Sequence, residues 1–170
     1  MLIDSSRFSF SCLLILLTIL VTIIGILTPI AILDKIKVNR ITDTMQQIQH
    51  LSKISSKNYS LVIIDSVTDL FSFEYSKKEQ SLEKNITFMK YMHDLSAIAI
   101  YSKIPIIVTN IVRTINNQEK ENLEESISMY IHTKIKLSKN NNVYSCEAIY
   151  LSDNKKFQYT ITSNGLAGES

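Results

Sequence analysis

Residues 59–75 read Tyr-Ser-Leu-Val-Ile-Ile-Asp-Ser-Val-Thr-Asp-Leu-Phe-Ser-Phe-Glu-Tyr, and this stretch decides the predicted fold. The apolar run at residues 61–64 is too short for a helix and is rich in β-branched side chains. It therefore predicts a strand that is buried on both faces, as in parallel sheets. Asp65 stands at the carboxyl end of this strand, which is the edge where open α/β sheets bind their ligands.

Asp65 and Ser66 have two interpretations. An acid held at a strand tip and followed by a hydroxyl suits a hydrated Mg²⁺ beside a nucleotide phosphate. Asp or Ser after a strand also commonly caps the next helix through its side-chain oxygen. The spacing alone favours the cap, so the choice depends on the surrounding sequence.

The same stretch resembles the Walker B segment of the RecA-type recombinases, most closely archaeal RadA. In that family a strand ending Ile-Asp-Ser precedes Val-Thr, an aromatic residue and Glu-Tyr, as residues 64–68 and 73–75 do here. A long helix containing His-Asp-Leu and a buried strand ending Val-Thr-Asn follow, matched by residues 93–95 and 108–110. These motifs keep the family's order over roughly the last two thirds of the chain.

The periodicity of the remaining sequence predicts an alternation of strands and helices. Residues 36–41 alternate as a short strand, and Thr42 or Asp43 can cap a helix that runs to about Ser55 with Met45, Ile48 and Leu51 on its core stripe. A second helix is predicted over about 82–102, with a core stripe that includes Leu82, Ile86, Met89, Met92, Leu95 and Ala99. Residues 105–109 then predict a second buried strand that Asn110 ends.

The last third of the chain predicts an antiparallel meander. Apolar and polar residues alternate over residues 131–137, 144–150 and 157–161, and polar turn residues separate the three runs. We interpret Lys134 and Lys136 as a solvated face. Together with the resemblance, this implies a RecA-like α/β fold over residues 1–170: a mixed sheet with parallel core strands and an antiparallel C-terminal meander, truncated at the N-terminus.

Composition limits the class of protein further. The 170 residues can bury the core of one domain, and a net charge of +2 gives no broad electrostatic footprint for nucleic acid. Cys12 and Cys146 offer neither a disulfide framework nor metal-ligand spacing, which favours a reducing compartment. We expect no structural metal and a cytoplasmic domain.

Residues 12–33 are almost continuously apolar, and residues 8–33 carry no charge. About twenty such residues can cross the ~30 Å hydrocarbon core, and Lys35, Lys37 and Arg40 on the following side would keep the remainder cytoplasmic. The segment also resembles a peripheral family helix that has lost its charged face. A helix without a polar stripe either enters lipid as a transmembrane anchor, packs under another chain, or belongs to a decaying copy of the protein.

The resemblance implies ATP and Mg²⁺ as cofactors, with Asp65, Ser66 and Asn110 as the matching nucleotide-site residues and Asp65 holding Mg²⁺ through water. Three family features are missing. No Gly-x-x-x-x-Gly-Lys-[Ser/Thr] phosphate loop occurs in the sequence, Ser6 stands where the family has its catalytic Glu, and Ile111 replaces the Gln that links the γ-phosphate to the mobile DNA-binding loop. We therefore expect no ATP hydrolysis by this chain alone.

Two segments match the family's DNA-binding loops, residues 76–84 and 113–125. The first supplies Lys77, Lys78 and Lys84, and the second supplies Arg113 and Lys120. Four glutamates of the second segment oppose phosphate binding: Glu119, Glu121, Glu124 and Glu125. The balance favours a solvated charged loop with a short helix over strong contact with single-stranded DNA.

The leading hypothesis is a degenerate RadA-like DNA repair and recombination protein. It retains the Walker B segment and acts as an interaction or regulatory paralogue beside a complete recombinase subunit. The alternatives are a single-pass membrane protein with a cytoplasmic RecA-like docking domain, and a gene remnant without function.

Overall fold

The computed structural model describes residues 2–4, 35–116, 118–140, 143–149, 154–162 and 165–168. Within this part a mixed sheet contains β1 (Leu2–Asp4), β2 (Val62–Ile64), β3 (Ile106–Asn110), β6 (Lys134–Asn140), β7 (Val143–Ile149), β8 (Asn154–Thr162) and β9 (Gly165–Gly168). A separate hairpin contains β4 (Val112–Ile115) and β5 (Gln118–Glu121). The helices are α1 (Thr44–Ser55), α2 (Asp69–Glu74), α3 (Ser81–Ser102) and α4 (Glu124–Ser128), with a 3₁₀ turn at Lys78–Gln80.

The spatial order of the sheet is β2-β3-β1-β6-β7-β8-β9. β3 pairs in parallel with β2 on one side and β1 on the other, and β1 also pairs in parallel with β6. The remaining neighbours, β6 to β9, pair antiparallel. The predicted combination of parallel strands with an antiparallel C-terminal meander is confirmed, and β9 adds a strand that the periodicity did not indicate.

The helices cover one face of the parallel strands. The largest fully buried side chains there are aromatic: Phe71 of α2 meets Phe88 of α3 edge to face with ring centroids 5.1 Å apart, and Tyr91 lies 5.7 Å from Phe71. Val108 of β3 and Ile127 of α4 complete the same cluster. Burial raises the pKa of Tyr91 to about 12, and the neighbouring Gln47 side chain opposes part of this rise.

Two predicted boundaries are confirmed with their physical cause. Asp43 is the N-cap of α1, and its carboxylate accepts a hydrogen bond from Gln46 N at 2.8 Å. Lys103 ends α3 in the left-handed conformation, and its backbone N–H donates to the carbonyls of Ala99 and Ile100.

The predicted strand over residues 36–41 is wrong. These residues form no regular element, and Val38 is 69% exposed. Alternation favours a strand only when a neighbouring strand supplies hydrogen-bond partners, and none of the described strands lies against this segment.

The predicted core stripes of the two long helices are only partly right. Met45, Leu82 and Ile86 are 68%, 71% and 60% exposed, whereas Phe88 is fully buried and Gln47 is buried in the place expected for an apolar side chain. The helical period determines which residues share a stripe, but packing against α2 decides which stripe faces inward.

The strand at residues 61–64 is confirmed as β2, but its burial on both faces is wrong. Val62–Ile64 are half-buried, because β2 has β3 on one side and no other described strand on the opposite side.

Two phenylalanines of α2 provide a matched test of this packing. Phe71 is fully buried and Phe73 is 81% exposed. We expect Phe71→Ala to lower the free energy of unfolding by about 3–5 kcal/mol, because it leaves a cavity between α2 and α3. Phe73→Ala should change it by less than about 0.5 kcal/mol. Urea unfolding followed by circular dichroism measures both, and equal losses would contradict this packing.

Candidate functional site

The carboxyl ends of the parallel strands bring the predicted nucleotide-site residues to one edge of the sheet. Ile64 pairs with Val108, so Asp65 after β2 and Asn110 at the end of β3 reach the same edge. The backbone of Asp4 at the end of β1 lies opposite Asn110. Ser6, the position of the family's catalytic acid, lies outside the described residues.

Asp65 is exposed at this edge, and its carboxylate accepts a hydrogen bond from the hydroxyl of Thr109. The backbone N–H of Val67 donates to the Thr109 carbonyl at 3.0 Å, which ties the turn after β2 to the end of β3. The peptide bond between Asp65 and Ser66 is cis. Asp65 is thus a strand-tip acid that is accessible from solvent and oriented by the neighbouring strand.

The alternative interpretation of Asp65 and Ser66 as helix caps is wrong. The N-cap of α2 is Thr68, and its side chain makes no capping hydrogen bond. Ser66 Oγ accepts only a long contact of 3.4 Å from Thr68 N, inside the turn. Residues 65–68 separate β2 from α2, so Asp65 and Ser66 do not directly precede the first helical residue as an N-cap does.

Asn110 lies at the centre of a buried hydrogen-bond network. It is 0% exposed, and its Oδ1 accepts from the hydroxyl of Thr68, also 0% exposed, at 2.7 Å. Its Nδ2 donates to the carbonyl of Asn122 at 2.8 Å, and the Asn122 amide in turn donates to Ser72 Oγ. Both polar groups of Asn110 are therefore used inside the protein, and neither points to the exposed strand edge.

The segment after β3 is a hairpin attached at its base. Ile111 stands at the position of the family's coupling Gln, and its carbonyl accepts a hydrogen bond from Asn122 N at 3.1 Å. β4 and β5 pair in register from Val112 with Glu121 to Ile115 with Gln118. The expected solvated loop with a short helix is thus an ordered hairpin followed by α4.

Lys134 and Lys136 of β6 form ion pairs with acidic side chains of this hairpin and of α4. Lys134 forms ion pairs with Glu121 and, at 3.5 Å, with Glu124, and Lys136 pairs with Glu119. The Lys134 side chain is 21% exposed and that of Glu121 is 14% exposed. The prediction that these lysines form a solvated face is wrong for Lys134, because the hairpin brings opposite charges against it, whereas the Lys136 side chain is 39% exposed.

The other face of the hairpin carries positive charge. Arg113 and Lys120 lie directly opposite each other in the β4–β5 register, and both are exposed. Because residues opposite each other point to the same side, these two cations share one face while Glu119 and Glu121 occupy the other.

The first predicted DNA-binding segment contains the 3₁₀ turn Lys78–Gln80 and the start of α3. Lys77 and Lys78 are exposed and Lys84 is half-buried. Among the described contacts none joins these three lysines to Arg113, so the structure supports two separate groups of cations.

The Val-Thr and Val-Thr-Asn motifs contained Thr68 and Thr109 but did not indicate their part in organising the edge. Sequence reasoning missed Asn122 and the pairing of the glutamates with β6. Asn122 and the glutamates are brought in by the hairpin, which no short sequence pattern announced.

Among the described side chains at this edge, the Asp65 carboxylate is the one acidic group that could contact a Mg²⁺ ion. Mg²⁺ in nucleotide sites is usually held by one or two carboxylates together with waters and substrate phosphates. In the described part of the chain, no three His, Cys, Asp or Glu side chains lie close enough to hold a metal ion by themselves. Asp65 would therefore contact a metal that a phosphate had brought with it.

None of the described helices is both long and apolar enough to cross a membrane. The predicted membrane segment, residues 12–33, lies outside the described residues.

The carboxyl edge of adjacent parallel strands is where open α/β sheets bind their ligands, and Asp65 and Asn110 lie at that edge. The Rad51 family model matches residues 24–135, which is more than half of the chain. The chain belongs to the Rad51 family and has its RecA-like α/β fold. Members are recombination and repair proteins that bind ATP and act with DNA and other recombinase subunits. No curated protein matches the chain.

The Asn110 network is tested by comparing two substitutions at the same edge. Asn110→Ala leaves the buried Thr68 hydroxyl and the Asn122 carbonyl without their partners, so we expect a loss of about 1–3 kcal/mol in the free energy of unfolding. Ser66→Ala removes only the 3.4 Å contact and should cost less than about 0.5 kcal/mol. Denaturant titration decides between them. A loss for Asn110→Ala no larger than that for Ser66→Ala would show that the network does not stabilise the fold.

Proposed function

We propose that this chain is a RecA-like recombination and repair protein that does not hydrolyse ATP by itself. It acts as an interaction or regulatory subunit beside a complete RadA-like recombinase subunit. The observation that carries the proposal is the buried network around Asn110, which uses the polar groups at the end of β3 for internal bonds.

The first support is the loss of groups that catalyse phosphoryl transfer. That reaction depends on positioned charges around the γ-phosphate and the attacking water. The sequence given contains no phosphate loop, its glycines at positions 25, 165 and 168 do not have the spacing of one, and Ser6 stands at the place of the catalytic Glu. Asp65 alone can hold a hydrated Mg²⁺ but provides neither a cradle for phosphates nor a general base.

The second support is the attachment of the hairpin. In the family, the corresponding loop is mobile and senses the γ-phosphate through a Gln. Here the apolar Ile111 is bonded through its backbone to Asn122, and ion pairs from Lys134 and Lys136 hold the far strand. A hairpin attached at its base and along β5 suits a constant docking surface better than a nucleotide-driven switch.

The exposed position of Asp65 leaves one nucleotide role open. Recombinases of this family place ATP between subunits, so a neighbouring complete subunit could supply the phosphate loop while Asp65 faces the metal. Asp65, Ser66 and the strand ending at Asn110 would then orient the interface without hydrolysing the nucleotide.

ATP turnover by the purified chain tests the proposal directly. We expect phosphate release from Mg-ATP at the level of the buffer blank, with or without single-stranded DNA, because the groups that stabilise the transition state are missing. Asp65→Ala serves as the matched control, since it removes the exposed acid at the end of β2. Turnover by the unaltered chain above that of Asp65→Ala would show that the chain hydrolyses ATP and would overturn the proposal.

The charge distribution on the hairpin favours a second function, weak contact with single-stranded DNA. Three of the four glutamates expected to oppose binding, Glu119, Glu121 and Glu124, are paired with Lys134 and Lys136. Arg113 and Lys120 lie together on the other face of the hairpin. Like charges directly opposite each other destabilise a hairpin, and an anion that contacts both offsets the cost. Lys77, Lys78 and Lys84 supply a second basic group at the start of α3.

Fluorescence anisotropy with a labelled oligonucleotide, repeated over a range of salt, tests this contact. If Arg113 and Lys120 each neutralise one phosphate, the double substitution to Ala should lower the slope of log K against log salt by about 1.4 for single-stranded DNA. Lys53→Ala with Lys57→Ala is the charge-matched control, because both lie where α1 leads into the start of β2, at the opposite edge of the sheet. Equal changes in the two double variants would show a general charge effect and not a hairpin contact.

A further inference from the structure

Helix α3 carries an apolar stripe on its solvent side. Leu82 and Ile86 are 71% and 60% exposed, and Ile100 near the other end of the helix is 61% exposed. Met89 lies between them and is half-buried. Since an α-helix turns by about 100° per residue, these four side chains fall within about 60° of one another around the helix axis. Single exposed apolar residues are ordinary, whereas a row of them along a helix marks a contact surface.

The spacing along this stripe is that of two paired helices. Positions 82, 86, 89, 93, 96 and 100 are separated alternately by four and three residues, which keeps one seam of the helix facing a partner helix. We call these six positions the α3 seam. Its first half is apolar, whereas its second half contains His93 and Ser96, and the His93 ring meets Tyr130 edge to face. A partner helix therefore fits the first half of the seam.

Two opposite charges lie on one flank of the apolar half. Glu83 and Lys90 are both exposed, and they project from the same flank because they stand seven residues apart. Among the residues that the structure describes, neither of the two takes part in an ion pair. The apolar half of the seam is thus bordered by an acid at one end and a base at the other, and both charges are available to a partner.

A second copy of α3 complements this charge pattern when it runs antiparallel to the first. Glu83 and Lys90 lie at equal distances on either side of a point just after Ile86. With a two-fold axis at that point, Glu83 of each copy lies at the height of Lys90 of the other copy. In a parallel pair each residue lies at the height of its own duplicate, so the two Glu83 carboxylates would repel each other. The charges therefore favour the antiparallel arrangement.

The same axis brings the apolar side chains together. Ile86 meets Ile86 of the second copy at the axis. Leu82 lies at the height of residue 91 of the second copy, and its nearest seam positions there are Met89 and His93. This is the insertion of one side chain between seam residues of the facing helix that stabilises coiled coils. Ile100 lies outside the contact, beyond the end of the second helix.

We propose that two copies of this chain form a symmetric dimer through the first halves of their α3 helices, which pack antiparallel. Leu82, Ile86 and Met89 of both copies form the apolar contact, and Glu83 pairs with Lys90 at each end. The contact is about 16 Å long and smaller than a standard interface, so the dimer dissociates on dilution. The dimer does not rest on the proposed function, because the α3 seam contains none of the residues at the carboxyl edge of the sheet.

Charge reversal in the full-length chain tests the contact. Sedimentation velocity over about a hundredfold range of protein concentration gives the dissociation constant of the dimer. Glu83→Lys or Lys90→Glu alone brings like charges together at both ends, and we expect each to raise the dissociation constant about tenfold. The double variant with both changes exchanges the two charges and should restore the original dissociation constant. Both residues are exposed, so circular dichroism spectra should not change.

Mixing the two single variants is the sharper test. The Glu83→Lys chain is basic at both positions, and the Lys90→Glu chain is acidic at both, so an antiparallel pair of one with the other has opposite charges at each end. We expect the equimolar mixture to sediment as a dimer at a concentration where each variant alone is monomeric. An unaltered chain that stays monomeric, a double variant that is not restored, or a mixture that stays monomeric would each overturn the proposal.

Cysteine cross-linking tests the position of the axis. In a Cys12→Ser, Cys146→Ser background, Ile86→Cys places a thiol beside its own duplicate, within reach of a disulfide. Ile100→Cys is the matched control, because Ile100 lies on the same seam and is equally exposed. In the antiparallel dimer its two copies are about 40 Å apart. We expect covalent dimer from Ile86→Cys and little from Ile100→Cys on a non-reducing gel. Equal yields would overturn the antiparallel contact, since a parallel pair or random collision gives that result.

Discussion

The parallel pairing of β2 with β3 is the constraint on which the rest of the structure depends. Three residue pairs, from Val62 with Ile106 to Ile64 with Val108, set the two strand ends level. This register brings Asp65 and Thr109 into hydrogen-bond contact and places Asn110 beside the turn that contains Thr68. A shift by one residue would turn Asn110 toward the opposite face of the sheet and separate it from Thr68, because strand side chains alternate.

The network at Asn110 also determines what the carboxyl edge can do. A buried amide with donor and acceptor both satisfied stabilises one arrangement and resists change, since breaking it leaves polar groups unpaired in a place that water does not reach. The hairpin attached to it through Asn122 has its acidic residues paired to β6. At this edge the polar groups of Asn110 are therefore bonded inside the fold, whereas Asp65 is exposed.

Some elements could be predicted from the sequence and others could not, for physical reasons. The positions of the two parallel strands, the α1 cap and the meander depend on local patterns, and the structure confirms them, although β2 is only half-buried. The core stripes of α1 and α3 were predicted with the right helical period, but Met45, Leu82 and Ile86 are exposed to solvent. The helix-cap interpretation of Asp65 failed because Thr68, and not the residue directly after the strand, is the N-cap of α2. The sequence predicted which residues would contact a nucleotide or DNA, and these binding roles stay proposals.

The sequence by itself determined the family and the strand-tip position of Asp65, because these are properties of short segments whose residue types carry the chemistry. Only the tertiary structure decided that Asn110 is buried and internally bonded, that Lys134 and Lys136 neutralise the hairpin glutamates, and that Arg113 and Lys120 share an outward face. These depend on which distant segments meet, with separations of 42 residues for Thr68 and Asn110 and 17 for Lys136 and Glu119. Contacts of that range follow from the packing of whole elements and not from any local pattern.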